Sequence, residues 1–249
     1  MVQGSGQRLP LGEAFETPDA KRRYTRRLFR TIADRYDVIT RLLSFGRDQQ
    51  WKRLVVDRAG AAPGTRALDL ACGTGDIAFQ LAARGASVVG LDVTARMIEL
   101  ARAKPDAARL AWIIGDMASL PIAAGCFDAV TTGYGLRNVP DLPAALAEIH
   151  RVLEPGGRLC ALDFDRPAGR VLRTVYLSYL TVVGSALGLV LHGDPDTYRY
   201  IPASIRRYPG AQGVAALMRA AGFEAVDVLP VLGGLMAVHV ARKSGRTDS

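Results

Sequence analysis

The amino-acid sequence predicts an α/β fold with a mostly parallel sheet of seven strands and helices on both of its faces. From about residue 66, short apolar runs rich in Val, Leu and Ile alternate with segments of helical periodicity. This alternation is typical of a parallel sheet with crossover helices. At 249 residues, with 49% hydrophobic and 22% charged residues, the chain is long enough to bury a sizeable core as one soluble domain.

Ahead of the sheet, the sequence predicts a flexible segment over residues 1–20, followed by a single domain over residues 21–249. The first residues lack a positive start followed by an apolar run, so no signal peptide is predicted. Residues 24–43 are expected to form one amphipathic helix, because apolar residues recur four or seven positions apart. These residues are Leu28, Ile32, Ile39 and Leu43.

The elements of the sheet follow in order. Five strands are predicted at short apolar runs: residues 66–71, 87–92, 110–116, 127–132 and 157–164. The segments between them predict helices over residues 76–84, 94–103 and 141–153. The last helix is expected to end at "LEPGG", because proline and glycine stop a helix.

A helical insertion is predicted over about residues 167–209. Its helical part is expected to end near residue 190, before a loop. One stretch of it, residues 174–191, runs for 18 residues without a charge. Its glycines and hydroxyl-bearing residues make it a marginal membrane span, so we expect it not to cross a bilayer. A helix near residues 211–221 and closing strands at 223–230 and 235–242 complete the predicted fold.

Charge and cysteine content limit the classes of function. The net charge of +8 favours anionic partners, which could be membrane headgroups, nucleic acid or acidic metabolites. The three cysteines, Cys72, Cys126 and Cys160, are far apart in sequence. This spacing argues against a disulfide framework and against a zinc site, so no metal site is predicted. The cysteines are expected to be small core residues.

A glycine-containing turn, "ACGTGD", follows the first predicted strand. Gly73 and Gly75 satisfy the spacing of a dinucleotide-binding turn, with Asp92 at about the distance of a ribose-binding acid. However, Asp76 lies in the first turn of the next predicted helix, where its carboxylate would repel a pyrophosphate. The sequence therefore disfavours NAD.

Acids lie at the carboxyl ends of three predicted strands, the edge where open α/β sheets bind ligands. S-adenosylmethionine has no phosphate, but it presents an ammonium group, a ribose diol and an adenine amine. Asp69 can bind the ammonium group directly or through water. Asp92 can accept hydrogen bonds from both ribose hydroxyls, and Asp116 can accept one from the adenine amine beside Met117. The two glycines would let the backbone approach the ligand. The alternative is that these acids only cap helices and form turns. Three of them on one edge favour S-adenosylmethionine.

Six segments of the chain carry a resemblance to a known family: "RYDVITRLLSFGRDQQWKR", "LDLACGTGD", "GLDVTARMIELAR", "GLRNVPD", "RVLEPGGRL" and "YRYIPASIRRYP". From about residue 29 to residue 243, the chain is similar to the C-methyltransferases of ubiquinone and menaquinone biosynthesis. The resemblance implies a Rossmann-like class I methyltransferase with a helical lid, and methyl transfer from S-adenosylmethionine to a ring carbon of a polyprenylated quinol. It also implies cofactor contacts at Thr74, Asp92, Asp116 and Met117.

The chain departs from the family pattern at two places. Gly133 and Tyr134 stand where the family usually has Ser-Phe, so a side-chain contact to the cofactor is expected to be either lost or replaced by the backbone of Gly133. After the fifth strand, where relatives tend to read Leu-Glu-Phe, the chain reads Leu162, Asp163, Phe164, followed by an unusual acid, Asp165. These differences bear on the choice of substrate and not on the reaction class.

Candidate catalytic residues follow the fourth strand. Arg137 can stabilise a developing phenolate and Asn138 can orient a ring hydroxyl. Because an arginine stays protonated, water or another group is expected to take the proton. Tyr36 is a further candidate. His239 is expected to be a hydrogen-bonded strand residue, and His192 a loop residue.

The expected partners are the polyprenyl quinol and an anionic membrane surface, with no nucleic acid. Residues 21–30, "KRRYTRRLFR", hold six cations and no acid, and helical spacing puts four on one side: Arg23, Arg26, Arg27 and Arg30. Residues 171–191 either pack in the core or form a lid over the prenyl tail. We expect a cytoplasmic protein, peripheral at the inner face of the membrane, and a homodimer is an open possibility. Other functions left open are methylation of another small aromatic molecule, methylation of RNA, and a non-catalytic scaffold. The sequence does not choose between a benzoquinol and a naphthoquinol ring.

Overall fold

The computed structural model describes residues 10–44, 46–167 and 169–245. Its seven strands are β1 Arg66–Leu70, β2 Ser87–Asp92, β3 Ala111–Ile114, β4 Phe127–Gly133, β5 Leu153–Phe164, β6 Phe223–Val231 and β7 Met236–Lys243. They form one sheet in the order β3-β2-β1-β4-β5-β7-β6. β7 runs antiparallel to β5 and β6, and the other neighbours are parallel. The predicted seven-stranded, mostly parallel sheet is confirmed.

Nine α-helices lie in the described residues: α1 Pro18–Ile32, α2 Tyr36–Leu43, α3 Asp48–Ala59, α4 Asp76–Ala83, α5 Ala95–Arg102, α6 Leu142–Val152, α7 Arg170–His192, α8 Asp196–Arg207 and α9 Gly210–Ala220. One core cluster packs Ile149 of α6 and Met218 of α9 on the sheet. A second packs Val55 of α3 and Leu81 of α4 on the sheet. Helices therefore cover both faces, as the sequence predicts.

The helix predicted over residues 24–43 is interrupted. Residues 33–35 form a short 3-10 turn between α1 and α2, so one continuous helix is wrong. The shared apolar face is nevertheless retained, because Leu28 and Ile39 join the same buried cluster as Tyr198 and Tyr200 of α8. The spacing of apolar residues predicts which residues share a buried face. A single 3-10 turn interrupts the helix without separating these residues.

The packed domain begins before the predicted boundary at residue 21. Ala14 is fully buried, and the ring of Phe15 stacks on Tyr200 with centroids 5.6 Å apart. Thr17 caps α1 by accepting a hydrogen bond from the backbone N–H of Ala20 at 3.1 Å. The flexible segment predicted over residues 1–20 is therefore wrong from Ala14 onward, and residues 1–9 lie outside the described residues.

The predicted insertion contains two packed helices, α7 and α8. The loop expected after residue 190 is limited to residues 193–195, because α8 follows it and continues through Pro202. A proline normally disfavours a helix interior, but burial of Tyr198, Tyr200 and Ile205 outweighs that preference here. His192 is the last residue of α7 and not a loop residue, and its Nε2 lies 2.9 Å from the hydroxyl of Tyr198.

By length and composition, α7 is apolar enough to cross a membrane, with a mean hydropathy of 1.7 over an 18-residue window of which 28% is buried. It presents Tyr176, Leu177 and Leu180 to the protein interior. A Cβ on Gly184 would lie 3.2 Å from the backbone of Tyr198, so glycine allows α8 to pack closely. The other face of α7 is exposed.

Candidate active site

Three cavities meet at the carboxyl ends of β1, β2 and β4. The large cavity, about 390 Å³, lies among α1, α2, α7 and α8. The strand-edge cavity, about 80 Å³, lies beside the ends of β2 and β4. The glycine-loop cavity, about 20 Å³, lies beside the turn after β1. Tyr36 and Tyr134 line all three, so the cavities form one connected site.

Asp92 ends β2 and lines the strand-edge cavity. Its Oδ2 accepts a hydrogen bond from the N–H of Gly73 at 2.9 Å, and its Oδ1 accepts one from the N–H of Thr94 at 2.8 Å. Burial raises the pKa of Asp92, while these two N–H groups oppose the rise. The carboxylate is thus fixed beside the glycine turn, with lone pairs left for a ligand's hydroxyl groups.

Asp116 and Met117 also line the strand-edge cavity. Oδ1 of Asp116 accepts a hydrogen bond from the N–H of Ala118 at 3.0 Å. Oδ2 lies 3.2 Å from Nε of Arg22 on α1. The predicted membrane-binding run therefore supplies two cations, Arg22 and Arg26, to the lining of this cavity, which the sequence pattern did not predict.

The two glycines of the turn have different reasons to be glycine. Gly73, at φ +54°, lines two cavities, and a Cβ there would lie 3.7 Å from Tyr36. Gly75, at φ +89°, lines none of the three cavities, and its Cβ would lie 2.7 Å from Trp112. The argument that glycine makes room for a ligand therefore fits Gly73, whereas Gly75 is required by ring packing. Gly133 lines both smaller cavities.

Asp69 is fully buried and lines the glycine-loop cavity. Its Oδ2 accepts a hydrogen bond from the N–H of Ala78 at 3.1 Å, and its Oδ1 accepts one from the hydroxyl of Thr131 at 2.8 Å. Burial raises the pKa of Asp69 to about 7 in spite of these bonds. Thr74 lines the same cavity and donates to Asp37 at 2.6 Å. Asp69 therefore anchors α4 as well as facing the cavity.

The backbone is held in an unfavourable conformation where the cavities meet. Ala71, directly after β1, has φ +49°, and Tyr134, directly after β4, has φ +61°. A left-handed conformation costs a residue with a side chain about 1–3 kcal/mol, and such residues cluster at binding sites. The N–H of Tyr134 donates to the carbonyl of Leu162 at 2.7 Å, which keeps this conformation tied to the sheet.

Asn138 lies at the boundary between the large and strand-edge cavities. Its Nδ2 donates to the carbonyl of Tyr134 at 2.7 Å, which fixes the orientation of the amide. Its buried Oδ1 has no hydrogen-bond partner among the described residues. A buried acceptor left unpaired costs about 1–3 kcal/mol, so this oxygen is suited to accept from a ligand's hydroxyl group.

Arg137 is buried in the wall of the large cavity. Its Nε lies 3.3 Å from Oδ1 of Asp163, and its backbone N–H donates to Oδ2 of Asp163 at 2.9 Å. Its Nη1 donates to the hydroxyl of Ser204 on α8. Its guanidinium carbon lies 5.1 Å from the ring centre of Phe164. Two of its five N–H donors are thereby engaged, which leaves three for a ligand.

Two partners of Arg137 were not predicted as site residues. Asp163 attracted notice only as a departure from the family pattern, although an acid inside the apolar run "LCALDF" is a signal of a buried ion pair. Ser204 carries no such signal, since it is separated from Arg137 by 67 residues. Asp165, the second unusual acid, accepts from the N–H of Ala211 at 2.7 Å and thus caps the start of α9.

Tyr36 begins α2 and faces all three cavities. Burial raises its pKa, and nearby Lys52 opposes the rise. Burial also raises the pKa of Tyr134. Both phenols are therefore neutral near pH 7, and each can donate a hydrogen bond but is a poor base.

Of the histidines and cysteines considered in the sequence, Cys72 lines the glycine-loop cavity, while His192, His239, Cys126 and Cys160 are not among the residues that line the three cavities. Nε2 of His239 lies 2.8 Å from the carbonyl oxygen of Ala211, which confirms a hydrogen-bonded strand histidine. Cys72 and Cys160 are buried, while Cys126 is half-buried. In the part of the chain that the structure describes, no group of three or more His, Cys, Asp or Glu could hold a metal ion.

Comparisons with known proteins agree with this geometry. Residues 17–243 match the ubiE/COQ5 methyltransferase family. The demethylmenaquinone methyltransferase of Thermus thermophilus is 43% identical, over 86% of this chain and 98% of the relative. The ubiquinone/menaquinone biosynthesis C-methyltransferase UbiE of Geotalea uraniireducens is 37% identical, over 87% of this chain and 94% of the relative.

A solved structure shares the fold. An S-adenosylmethionine-dependent methyltransferase of Thermotoga maritima superposes with a TM-score of 0.62 at 22% identity, over 88% of this chain and 99% of that one. This likeness supports a Rossmann-like class I methyltransferase fold. The family match includes every strand and every cavity-lining helix described above. The chain therefore belongs to the ubiE/COQ5 methyltransferase family and is an S-adenosylmethionine-dependent methyltransferase.

Proposed function

We propose that the enzyme methylates a ring carbon of a polyprenylated quinol, either demethylmenaquinol or the benzoquinol of the ubiquinone pathway. The observation that carries this proposal is the large cavity, whose walls are mostly apolar and which joins the strand-edge cavity at Asn138. An apolar chamber suits a prenyl tail, and its junction with the cofactor side suits a ring. The names of the relatives support the same substrate class.

S-adenosylmethionine supplies an electrophilic methyl group when it is bound. We assign its adenosine to the strand-edge cavity, with Asp92 accepting from the ribose hydroxyls and Asp116 from the adenine amine beside Met117. The backbones of Gly73 and Gly133 border this path. We assign its amino-acid end to the glycine-loop cavity, near Asp69 and Thr74. Seven of the eight predicted cofactor residues line these two cavities, and the exception is Gly75.

Three residues are assigned to the substrate ring: Asn138, Arg137 and Tyr36. Oδ1 of Asn138 accepts a hydrogen bond from a ring hydroxyl and so orients the ring. The free N–H groups of Arg137 stabilise the phenolate that develops when that hydroxyl loses its proton. Tyr36, as a neutral phenol, closes the junction of the cavities and limits water there. The hydroxyl proton leaves to water or to another group. After methyl transfer the ring carbon loses its own proton, and the ring oxygen takes up a proton as the aromatic quinol is restored.

One experiment tests this function directly. The purified protein is incubated with isotopically labelled S-adenosylmethionine and, separately, with reduced demethylmenaquinone, a ubiquinone precursor and a total RNA fraction. We expect a product heavier by one labelled methyl group from at least one quinol and none from RNA. A labelled RNA would support the alternative of an RNA methyltransferase. Cofactor binding without turnover on any substrate would support a scaffold.

The cofactor assignment predicts the effect of Asp92→Ala. Loss of hydrogen bonds to a charged acceptor should weaken S-adenosylmethionine binding by about 1.5 to 3 kcal/mol. Calorimetry on folded protein measures this loss. Asp128→Ala, which removes an acid at the opposite end of the sheet beside Arg66, is the matched control and should leave affinity unchanged. Unchanged affinity in the Asp92 variant would contradict the assignment.

We also propose that the enzyme collects its substrate at a membrane surface, through the exposed face of α7. Seven of the nine large exposed hydrophobic residues in the described chain lie on this helix, among them Val171, Val175, Val182 and Val190. Leu172, Val175 and Tyr179 of the same helix also line the large cavity. α7 carries no acid, and Arg170 and Arg173 lie at its start. An apolar face with flanking cations suits an anionic bilayer.

The four arginines predicted to bind lipid, Arg23, Arg26, Arg27 and Arg30, are all exposed on α1. Each cation near an anionic leaflet contributes about 1 kcal/mol and is screened by salt. We therefore expect the protein to sediment with anionic liposomes, less so as salt is added, and only weakly when all four arginines are changed to glutamine. Changing Val171, Val175 and Val182 to serine should also weaken sedimentation.

A control variant has the same change of net charge at exposed positions elsewhere. It replaces four arginines by glutamine: Arg53, Arg58, Arg109 and Arg219. This variant should sediment like the original protein. If this control variant loses sedimentation to the same extent, binding depends on the net charge of the protein and not on the four arginines of α1. Equal binding to neutral liposomes would reject the electrostatic part of the proposal.

Three further expectations accompany this proposal. The enzyme acts in the cytoplasm at the inner face of the membrane, where a peripheral protein meets the quinol pool. A homodimer is tested by sedimentation velocity, and loss of the dimer in the α7 serine variant would assign this helix to a protein interface instead. The absence of a nucleic-acid partner is tested by the RNA arm of the turnover assay.

A further inference from the structure

The amino-acid end of S-adenosylmethionine carries a carboxylate as well as an ammonium group. Asp69 is the acid assigned to the ammonium group, and no cationic residue has been assigned to the carboxylate. The glycine-loop cavity is lined by Asp69, Asp76 and Lys52 among other residues, and Lys52 is the one cation in the described lining. A zwitterion bound there needs both signs of charge within hydrogen-bond reach.

Lys52 lies on α3 and is almost completely buried, with 7% of its side chain exposed. Its Nζ lies 2.8 Å from Oδ2 of Asp76 and 3.0 Å from Oδ2 of Asp48. These contacts use two of the three N–H groups of its ammonium. The third N–H is available to a group that enters the cavity.

The charge of Lys52 is maintained despite its burial. Burial by itself would lower the pKa of Lys52, but the carboxylates of Asp76 and Asp48 outweigh burial and raise it. Burial would likewise raise the pKa of Asp76, but Lys52 and Lys104 outweigh that effect and lower it to about 2. The cavity therefore contains a fixed ammonium at neutral pH.

We propose that Lys52 binds the carboxylate of S-adenosylmethionine at the glycine-loop cavity, which is also lined by Asp69, the acid assigned to the ammonium group. The proposal rests on the assignment of the amino-acid end to this cavity. It makes Lys52 a specificity-determining residue, because the ammonium group of Lys52 distinguishes an amino acid from the corresponding amine. The other role open to Lys52 is a purely structural tie between α3 and α4.

A ligand that lacks only the carboxylate separates the two roles. Decarboxylated S-adenosylmethionine keeps the sulfonium, the ammonium and the adenosine. We expect the original protein to bind S-adenosylmethionine about 10- to 100-fold more tightly than the decarboxylated compound, the range for a hydrogen bond to a charged group. Lys52→Met should remove most of this preference, because it should weaken the binding of S-adenosylmethionine and leave the binding of the decarboxylated compound unchanged. Calorimetry of both ligands measures the ratio without any turnover.

The matched control is Lys104→Met. Lys104 lies 3.3 Å from Oδ1 of the same Asp76 but is not among the residues that line the cavity. Its loss should change both affinities alike or leave both unchanged. Lys52→Gln is the second variant in case Lys52→Met does not fold, since an amide can still donate to both acids but carries no charge. It should also lose the preference.

Two results would overturn the proposal. An equal loss of both affinities in the Lys52 variants would reduce Lys52 to a structural tie. An original protein that binds the two compounds equally would mean that no group holds the carboxylate, although the enzyme could still be a quinol methyltransferase. Failure of the proposed substrate in the turnover assay leaves this ratio unaffected, so the two proposals fail separately.

Discussion

Arg137→Met should lower turnover of the quinol by about two to three orders of magnitude, while the affinity for S-adenosylmethionine stays nearly unchanged. Methionine keeps the length of the side chain and removes its charge. If the guanidinium stabilises the developing phenolate, its loss acts on the transition state and lowers kcat and kcat/KM together. Steady-state kinetics at saturating cofactor, with calorimetry for the cofactor, measures both.

The buried pair with Asp163 complicates this variant, because the change also leaves a buried carboxylate without its cation. Burial already raises the pKa of Asp163, against the effect of Arg137, so the acid can take up a proton when the arginine is gone. The double variant Arg137→Met with Asp163→Leu removes both charges. It should fold at least as well and remain as inactive as the single variant. Normal turnover with poor cofactor binding in the Arg137→Met variant would contradict the role of Arg137 as stabiliser of the phenolate.

The strands and the acids at their ends were predictable because both signals are local. An apolar run of four to eight residues followed by an acid or a glycine is readable in one short window, as at Asp69 and Asp92. The carboxyl ends of parallel strands then meet at one edge. Seven predicted cofactor residues line the same pair of cavities for this reason.

The partners of these residues were not predictable in the same way. Arg22, Lys52 and Ser204 reach the site from α1, α3 and α8, and no sequence window contains both members of any of these pairs. Asp76 illustrates the consequence. Its charge was weighed as that of an isolated acid against a pyrophosphate, whereas in the fold it is shared with Lys52 and Lys104. The conclusion against a dinucleotide stands on the family match and not on that acid.

Local sequence preferences failed to predict the structure at positions where tertiary packing is extensive. Pro202 favours a break, yet α8 continues because Tyr198 and Tyr200 are almost completely buried beside it. Similarly, the residues before Lys21 have polar composition but are fixed by the stacking of Phe15 on Tyr200. Tyr198 and Tyr200 of α8 line the large cavity, so a wall of this cavity depends on a helix that the sequence did not predict.

Asp163→Asn should produce the largest loss of stability of any single change in the site. Asp163 has 2% of its side chain exposed and Arg137 has 5%. Removing one partner of a buried ion pair leaves an uncompensated charge, which costs about 3 to 5 kcal/mol. Asparagine keeps the shape, but its one amide oxygen can accept from only one of the two backbone N–H groups, since these bind different oxygens of Asp163. The loss therefore combines the unpaired charge of Arg137 with one backbone hydrogen bond. Urea denaturation measures the free energy of unfolding.

An exposed ion pair provides the matched control for Asp163→Asn. Arg84 and Asp57 lie 2.6 Å apart with about half of each side chain exposed, at 47% and 52%, so Asp57→Asn should change stability by only about 0 to 1 kcal/mol. Adding Arg137→Met to Asp163→Asn should recover much of the loss, because no buried charge then remains. A loss below about 1 kcal/mol for Asp163→Asn alone would mean that Arg137 finds another anion or water. The guanidinium would then be free to move, and its role as a fixed stabiliser of the phenolate would be untenable.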